Sequence, residues 1–292
     1  MREGRGAISG IAAPDRPRAT ALPAMGRGWL LAPVLLLYGA LALLPVAVIV
    51  HFSLVGGVAG YRSVLGSPLL VRAATNTLVI SLYATIIALA LGFLLAATLW
   101  RSGPGMRRVL LAFILLPFWT AVLIKNFAWA ALLQDNGAIN AVLQGLGLTD
   151  GPVTMLHNRL AVVIGMVHYT LPYAVFPIYT ALQAIDPRLE QAARSLGAGP
   201  LKVLRHVVLP LSLPGLYSAA LLVFIVSAGF FITPVILGAP SDMMIANLVD
   251  YYLHEMADFG RASALAMLIL AVTAVLVTIQ QLLPREGQHG VA

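Results

Sequence analysis

The amino-acid sequence predicts an all-α membrane protein with six transmembrane helices. Three observations carry that expectation. Of 292 residues, 60% are hydrophobic and only 10% charged, where soluble domains carry about 25% charged residues. Six apolar runs, at 29–51, 74–99, 108–132, 159–183, 213–237 and 260–283, reach the roughly 20 residues that carry a helix across a bilayer. Between the fourth and fifth runs, residues 186–214 form a polar, basic interruption.

In chain order, residues 1–28 are rich in Gly, Ala, Pro and Arg, without periodicity, and a disordered cytoplasmic tail is expected there. The run at 29–51 is too long for a signal-peptide core and is followed by no small-residue cleavage site, so it reads as an uncleaved span. Residues 29–283 make the membrane domain and 284–292 a second tail. Trp29, Trp100 and Trp129 sit at run ends, where interfacial aromatics belong. Pro33, Pro45, Pro117, Pro172, Pro177 and Pro234 fall inside runs, where neighbouring helices can tolerate them as kinks. The loop at 133–158 opens on Asp135-Asn136-Gly137, a turn signal, before an amphipathic stretch. The loop at 238–258 carries Asp242, Asp250, Glu255 and Asp258 with no Lys or Arg. It reads either as a solvated face or as an acidic surface for a binding protein or a cationic solute.

Orientation follows from Lys and Arg. The two tails and the loops at 100–108 and 184–212 hold 13 of the 18. The loops at 52–73, 133–159 and 238–261 hold Arg62, Arg72, Arg159 and Arg261, and Lys125 lies in the third run. Both termini and the 184–212 loop are therefore expected in the cytoplasm. The net charge of +7 is a matter of topology rather than of nucleic-acid binding. The absence of cysteine excludes disulfides, thiolate metal sites and a Cys nucleophile.

Within the interruption, Asp186 is a good N-cap and Pro187 suits the first helical position. Leu189, Ala192, Ala193 and Leu196 repeat at helical spacing and form one face. Arg188, Glu190, Gln191, Arg194 and Ser195 take the other, and Gly197 stands where a left-handed C-cap is wanted. Gly199-Pro200 opens a second helix lined by Leu201, Leu204 and Val208, which Pro210 and Pro214 are expected to end. A helix of about ten residues is marginal alone and must dock on something. Its Ala-Ala centre admits a close partner backbone.

Gln191-Ala192-Ala193, Gly197, Val207, Leu209 and Pro210 resemble the E-A-A-x3-G-x9-I-x-L-P loop of ABC importer permeases, with Gln191 for the usual Glu and Val207 for Ile. The resemblance implies a type I ABC importer permease fold whose coupling helix docks on an ATP-binding subunit. Glu190, Gln191, Ala192, Ala193, Arg194, Gly197, Leu209 and Pro210 are then the coupling residues. It implies two ATPase copies, a second homologous permease subunit and a periplasmic or lipid-anchored solute-binding protein. Pro117-Phe118-Trp119-Thr120, Lys125, Phe127-Ala128-Trp129, Asn136-Gly137 and Asn140 look like polyamine-type permeases in particular. So do Asn76-Thr77-Leu78, Thr233-Pro234, Leu237-Gly238, Met244-Ile245 and Asn247-Leu248. The cargo is expected to be a small solute: polyamine is what this resemblance implies, and another small polar or organic solute is the alternative. Lys125 replaces an Arg, and Phe230 stands where that subfamily often carries an acidic residue.

The residues themselves agree with a subunit that borrows its energy. No acidic residue lies in any of the six runs, which argues against a proton- or sodium-coupled carrier. Lys125, the only charge well inside a run, is expected to snorkel to the outer interface. No G-x-x-x-x-G-K-[ST], H-E-x-x-H or G-x-S-x-G motif is present, so no cofactor, metal or catalytic residue is expected and ATP belongs to a partner. Thr120, Asn126, His168, Tyr169, Tyr173, Ser227, Phe230, Phe231 and Thr233 are the polar and aromatic candidates for a solute pathway. Asn247 and Tyr251 are candidates for an outer gate. The competing readings are a self-sufficient carrier or channel and, more remotely, an intramembrane hydrolase built on His168.

Overall fold

The computed structural model describes residues 25–55 and 57–282. The two expected tails lie outside them, except that residues 25–28 already belong to the first helix. All regular structure among the described residues is helical. Residues up to Val48 form one unit and those from Ile49 a second. The first unit is most of a single helix, α1 (Met25–Val55), which contains Pro33 and Pro45.

The second unit is ordered as α2 (Gly57–Leu65), α3 (Pro68–Arg101), α4 (Pro104–Trp119), α5 (Val122–Leu133), α6 (Ala138–Gly145), α7 (Arg159–Gln183), α8 (Pro187–Ser195), α9 (Pro200–Ala228), α10 (Ile232–Leu237), α11 (Ile245–Asp250) and α12 (Phe259–Leu282). Four helices, α1, α3, α7 and α9, are long and apolar enough to cross a membrane unbroken. The six expected crossings are therefore not six straight helices. The third run breaks, and in α12 the apolar stretch is the shorter Phe259–Val275.

The core is a three-helix packing of α3, α7 and α9. Ala84, Ala88, Gly92 and Ala96 are buried and recur every four residues on α3. Such a stripe lets helix backbones approach closely where lipid supplies no hydrophobic drive. A Cβ on Gly92 would lie 2.7 Å from the Ala174 Cβ of α7. One on Gly215 of α9 would lie 2.8 Å from the Pro177 carbonyl oxygen of α7.

Two breaks depart from the expected runs. In the third, Pro117 has no N–H to give the preceding turn, and α4 stops two residues later. Thr120 N–H closes on Pro117 O at 3.2 Å, Thr120 and Ala121 are extended, and the pair is bent by 100°. In the fifth, α9 ends at Ala228, with the Gly229 N–H closing on Ile225 O at 3.2 Å, and the chain re-enters helix at Ile232. Pro234 then occupies the first turn of α10, where a missing N–H is harmless.

The expectation that Pro210 and Pro214 end the second loop helix is not met. Both lie inside α9, which runs on to Ala228. Leu204–Val208 widens into a π-turn in which Leu209 N–H bonds Leu204 O. The wider turn accommodates the Pro210 ring, which in a regular α-helix clashes with the carbonyl four residues back. Val203 and Val208 are the residues that turn inward, while Leu201, expected on the packed side, is 75% exposed.

Candidate functional site

Two regions combine unusual chemistry with unusual geometry. The first is α8. Asp186 caps its N-terminus by accepting from Arg188 N–H at 2.9 Å. At the other end, Gly197 takes φ +83°. There Ala198 N–H bonds Ala193 O at 3.0 Å and Gly197 N–H bonds Arg194 O at 2.9 Å, the two bonds of a Schellman stop. The helix is thus fixed at both ends. Its apolar face nevertheless does not turn into the bundle: Leu189 is 46% and Leu196 89% exposed. Gln191, Ala192, Arg194 and Gly197 are exposed as well. Ala193 alone on that face is half-buried, against the cluster of Leu99, Leu182 and Val203. Leu209 and Pro210 are exposed at the start of the regular part of α9.

Glu190 does not share the exposed face. Its carboxylate is half-buried, 3.8 Å from Arg101 and 3.9 Å from Arg194. Pairs of that length at a partly wet site contribute between nothing and about 1 kcal/mol. Glu190 thus faces the C-terminal end of α3, and the exposed position 191 carries an uncharged amide.

The second region lies where the two breaks meet α7. Asn126, 2% exposed, accepts at Oδ1 from the Thr233 hydroxyl at 3.1 Å. Its Nδ2 has no partner among the described residues, nor has the Ser227 hydroxyl, one turn before Phe230. Tyr169 stacks on Tyr173 with ring centroids 5.9 Å apart and meets Phe230 edge-on at 4.7 Å. Phe118 closes on Tyr173 at 5.6 Å. Trp129 donates its indole N–H to His168 Nδ1 at 2.9 Å. This bond fixes the neutral imidazole with its proton on Nε2 and supplies a packing role for His168, in place of pairing with a serine.

Lys125 departs from expectation. It is 9% exposed and its Nζ stands 4.6 Å from the Tyr169 ring centroid. The break at 120–121 is the reason: it places Lys125 in the first turn of a short helix beside α7, so the side chain runs inward instead of snorkelling outward. Burying a cation costs at least about 2.5–3.5 kcal/mol on insertion scales, and a desolvated cation–π contact returns about 2 kcal/mol.

Thr120 and Phe231 sit at the two break points. The Thr120 hydroxyl is spent on Leu116 O at 3.1 Å, and Phe231 is exposed. Asn247 is buried rather than at a surface. Its Oδ1 accepts from Met244 N–H at 3.1 Å and its Nδ2 donates to Phe231 O at 2.9 Å, so it holds the fifth-run break in place. Tyr251 is half-buried against Tyr252. The acidic 238–258 loop is largely self-satisfied. Asp242 is buried and bridges Arg159 at 3.2 Å, Asp258 bridges Arg261 at 3.1 Å, and Asp250 meets His254 at 2.7 Å. Sequence reasoning missed Arg159: its guanidinium also donates to Asn76 Oδ1 at 2.8 Å. An Arg at the first position of a run, with an acidic loop at 238–258 to pair with, was the available signal.

Residues 88–286 match the family described as "Binding-protein-dependent transport system inner membrane component". The spermidine/putrescine transport system permease protein PotB of Haemophilus influenzae is 32% identical over 213 residues, covering 72% of this chain and 74% of that protein. Among solved structures, a bacterial ABC transporter that imports the acidic polysaccharide alginate is similar in fold. It has a TM-score of 0.74 at 18% identity, covering 88% of this chain and 95% of that one. The bacterial alginate ABC transporter in complex with an alginate pentasaccharide-bound periplasmic protein gives a TM-score of 0.71 at 20% identity, over 87% and 93% of the two chains.

Proposed function

The chain belongs to the family of binding-protein-dependent transport system inner membrane components, and from that premise we propose that α8 is the helix through which a separate ATP-binding subunit drives it. The observation that carries this reading is the face of α8. It is a short helix, capped at both ends, that leaves Leu189, Ala192 and Leu196 exposed at the basic end of the bundle. Burying a leucine contributes about 1.5–3 kcal/mol, so a groove that covers Leu189 and Leu196 has an adequate anchor, and Ala192 lets its wall come close.

In this reading ATP is bound by two copies of the partner and none by this chain. A second permease subunit completes the translocation path. A periplasmic or lipid-anchored binding protein loads it from the side of the 238–258 loop. The basic end is cytoplasmic by the positive-inside rule. Closure of the ATPase dimer moves α8, and its tie to Arg101 and its packing on Leu99 and Leu182 pass the motion to α3 and α7. The permease itself forms no covalent bond with its cargo.

Names of similar proteins do not set the sign of the cargo: PotB is named for polyamines, the alginate transporter for an acidic polysaccharide. A self-sufficient carrier finds no support in the family or the fold. The test is Ala192→Asp and Leu196→Glu, both on exposed positions. The account expects a normally folded membrane protein that no longer co-purifies with its ATP-binding subunit. Retained co-purification and ATP-driven uptake in both variants would sink it.

A further inference from the structure

We propose that the groove of the ATP-binding subunit is apolar where it covers Leu189, Ala192 and Leu196, and acidic where it meets Arg188, Gln191 and Arg194. The inference rests on the permease reading above and adds the chemistry of the partner's docking surface.

Residues 186–206 hold two carboxylates, Asp186 and Glu190, and four cations, Arg188, Arg194, Lys202 and Arg205. All four cations are exposed. The carboxylates are already engaged. Asp186 accepts from Arg188 N–H at 2.9 Å as the helix cap. Glu190 keeps only 18% of its side chain exposed and lies between Arg101 and Arg194. Among the described residues no carboxylate pairs with Arg188, Lys202 or Arg205. What α8 turns outward is therefore cationic beside its apolar stripe. Residues three apart are neighbours on a helix surface, which sets Gln191 between Arg188 and Arg194. A partner cation aimed at position 191 would meet two guanidiniums and no anion. A partner carboxylate there meets both, and accepts from the Gln191 amide as well. Residues four apart also share a face, so Arg188 borders Ala192 and the acidic rim adjoins the apolar floor. The loop that this stretch resembles carries Glu at position 191. Here that position is uncharged and Glu190 faces the end of α3 instead, so the docking face has lost its anion and kept its cations.

The experiment places the full chain in nanodiscs of uncharged lipid and titrates it with the ATP-binding subunit that co-purifies with it. Two variants at one exposed position carry the test, Gln191→Glu and Gln191→Lys. Gln, Glu and Lys have nearly equal helix propensity, so α8 keeps its shape and only the sign of the charge differs. The proposal expects Gln191→Glu to raise Kd about tenfold, the scale of one rim contact turned from attraction to repulsion. Gln191→Lys should leave Kd unchanged or lower it, and Arg188→Glu should raise it at least tenfold. For the wild-type chain, Kd should rise between about 0.1 M and about 1 M salt, over which the screening length shrinks from about 10 Å to about 3 Å. Tighter binding by Gln191→Glu, or a Kd indifferent to salt and to the sign at position 191, overturns the proposal and leaves the permease reading intact. So does a wild-type chain whose anionic-vesicle binding is lost in Arg188→Glu while its Kd for the ATP-binding subunit is unchanged, because the cations then serve lipid. If no nucleotide-binding protein co-purifies with the wild-type chain, the permease reading fails and the proposal fails with it.

Discussion

Arg159, Asn76 and Asp242 show how single residues fix the end of the bundle at the start of α7. Asn76 Nδ2 donates to Ser241 O at 2.8 Å and to Met243 O at 3.1 Å, and its Oδ1 receives Arg159. Arg159 in turn holds the buried Asp242. Three separate stretches of chain are pinned by one amide and one guanidinium. Arg159→Ala strands a buried carboxylate and an amide oxygen, each at about 1–3 kcal/mol. The expected outcome is a lowered Tm of the purified protein in detergent; an unchanged Tm would show that Asp242 finds water or another donor. Gly197 belongs to the same scale. At φ +83° a Cβ is strained, so Gly197→Ala should cost about 1 kcal/mol and loosen α8 before the bundle. Faster hydrogen exchange confined to 187–198 is the readout.

Helices carry the next level of organisation, and here legibility in the sequence is uneven. Spans, caps and the small helix of the polar loop are readable because they depend on local signals: apolar length, Asp186 before Pro187, Gly197 after Leu196. Bends are not. Pro117 and Pro234 sit in runs like Pro172 and Pro177, yet α7 continues through both of its prolines while α4 stops at Trp119. Buried α7 is braced by α3 and α9, and its neighbours restore what each proline removes; α4 has its neighbour on fewer sides. That difference is tertiary, and it also misplaced Lys125, whose surroundings depend on the break. Pro210 was misread for the opposite reason, because a π-turn absorbs its ring. The α3 stripe yields a direct test. Gly92→Val drives a side chain into Ala174 and should lower the Tm by an overpacking cost of about 1–3 kcal/mol. Gly145→Ala, on an open face of α6, should leave it unchanged or raise it.

At the scale of the whole molecule, charge and exposure divide the bundle into two functional ends. The end with Arg101, Arg107, Arg108, Arg188, Arg194, Lys202 and Arg205 leaves an apolar helix face uncovered. At the other end, Arg159 and Arg261 are neutralised by Asp242 and Asp258. Between them sit the breaks of the third and fifth runs, with Lys125 and Asn126 of α5 and the Tyr169 and Tyr173 rings of α7. This is the arrangement expected of a conduit moved from one end and loaded from the other. The wild-type chain has no cysteine, so a single one introduced at Leu196 reports that position alone. The most direct measurement is therefore thiol cross-linking from Leu196→Cys in native membranes during ATP turnover. The account predicts an adduct with the ATP-binding subunit and no labelling by an impermeant thiol reagent added from the periplasmic side. Labelling from that side, with no adduct to any nucleotide-binding protein, would contradict it.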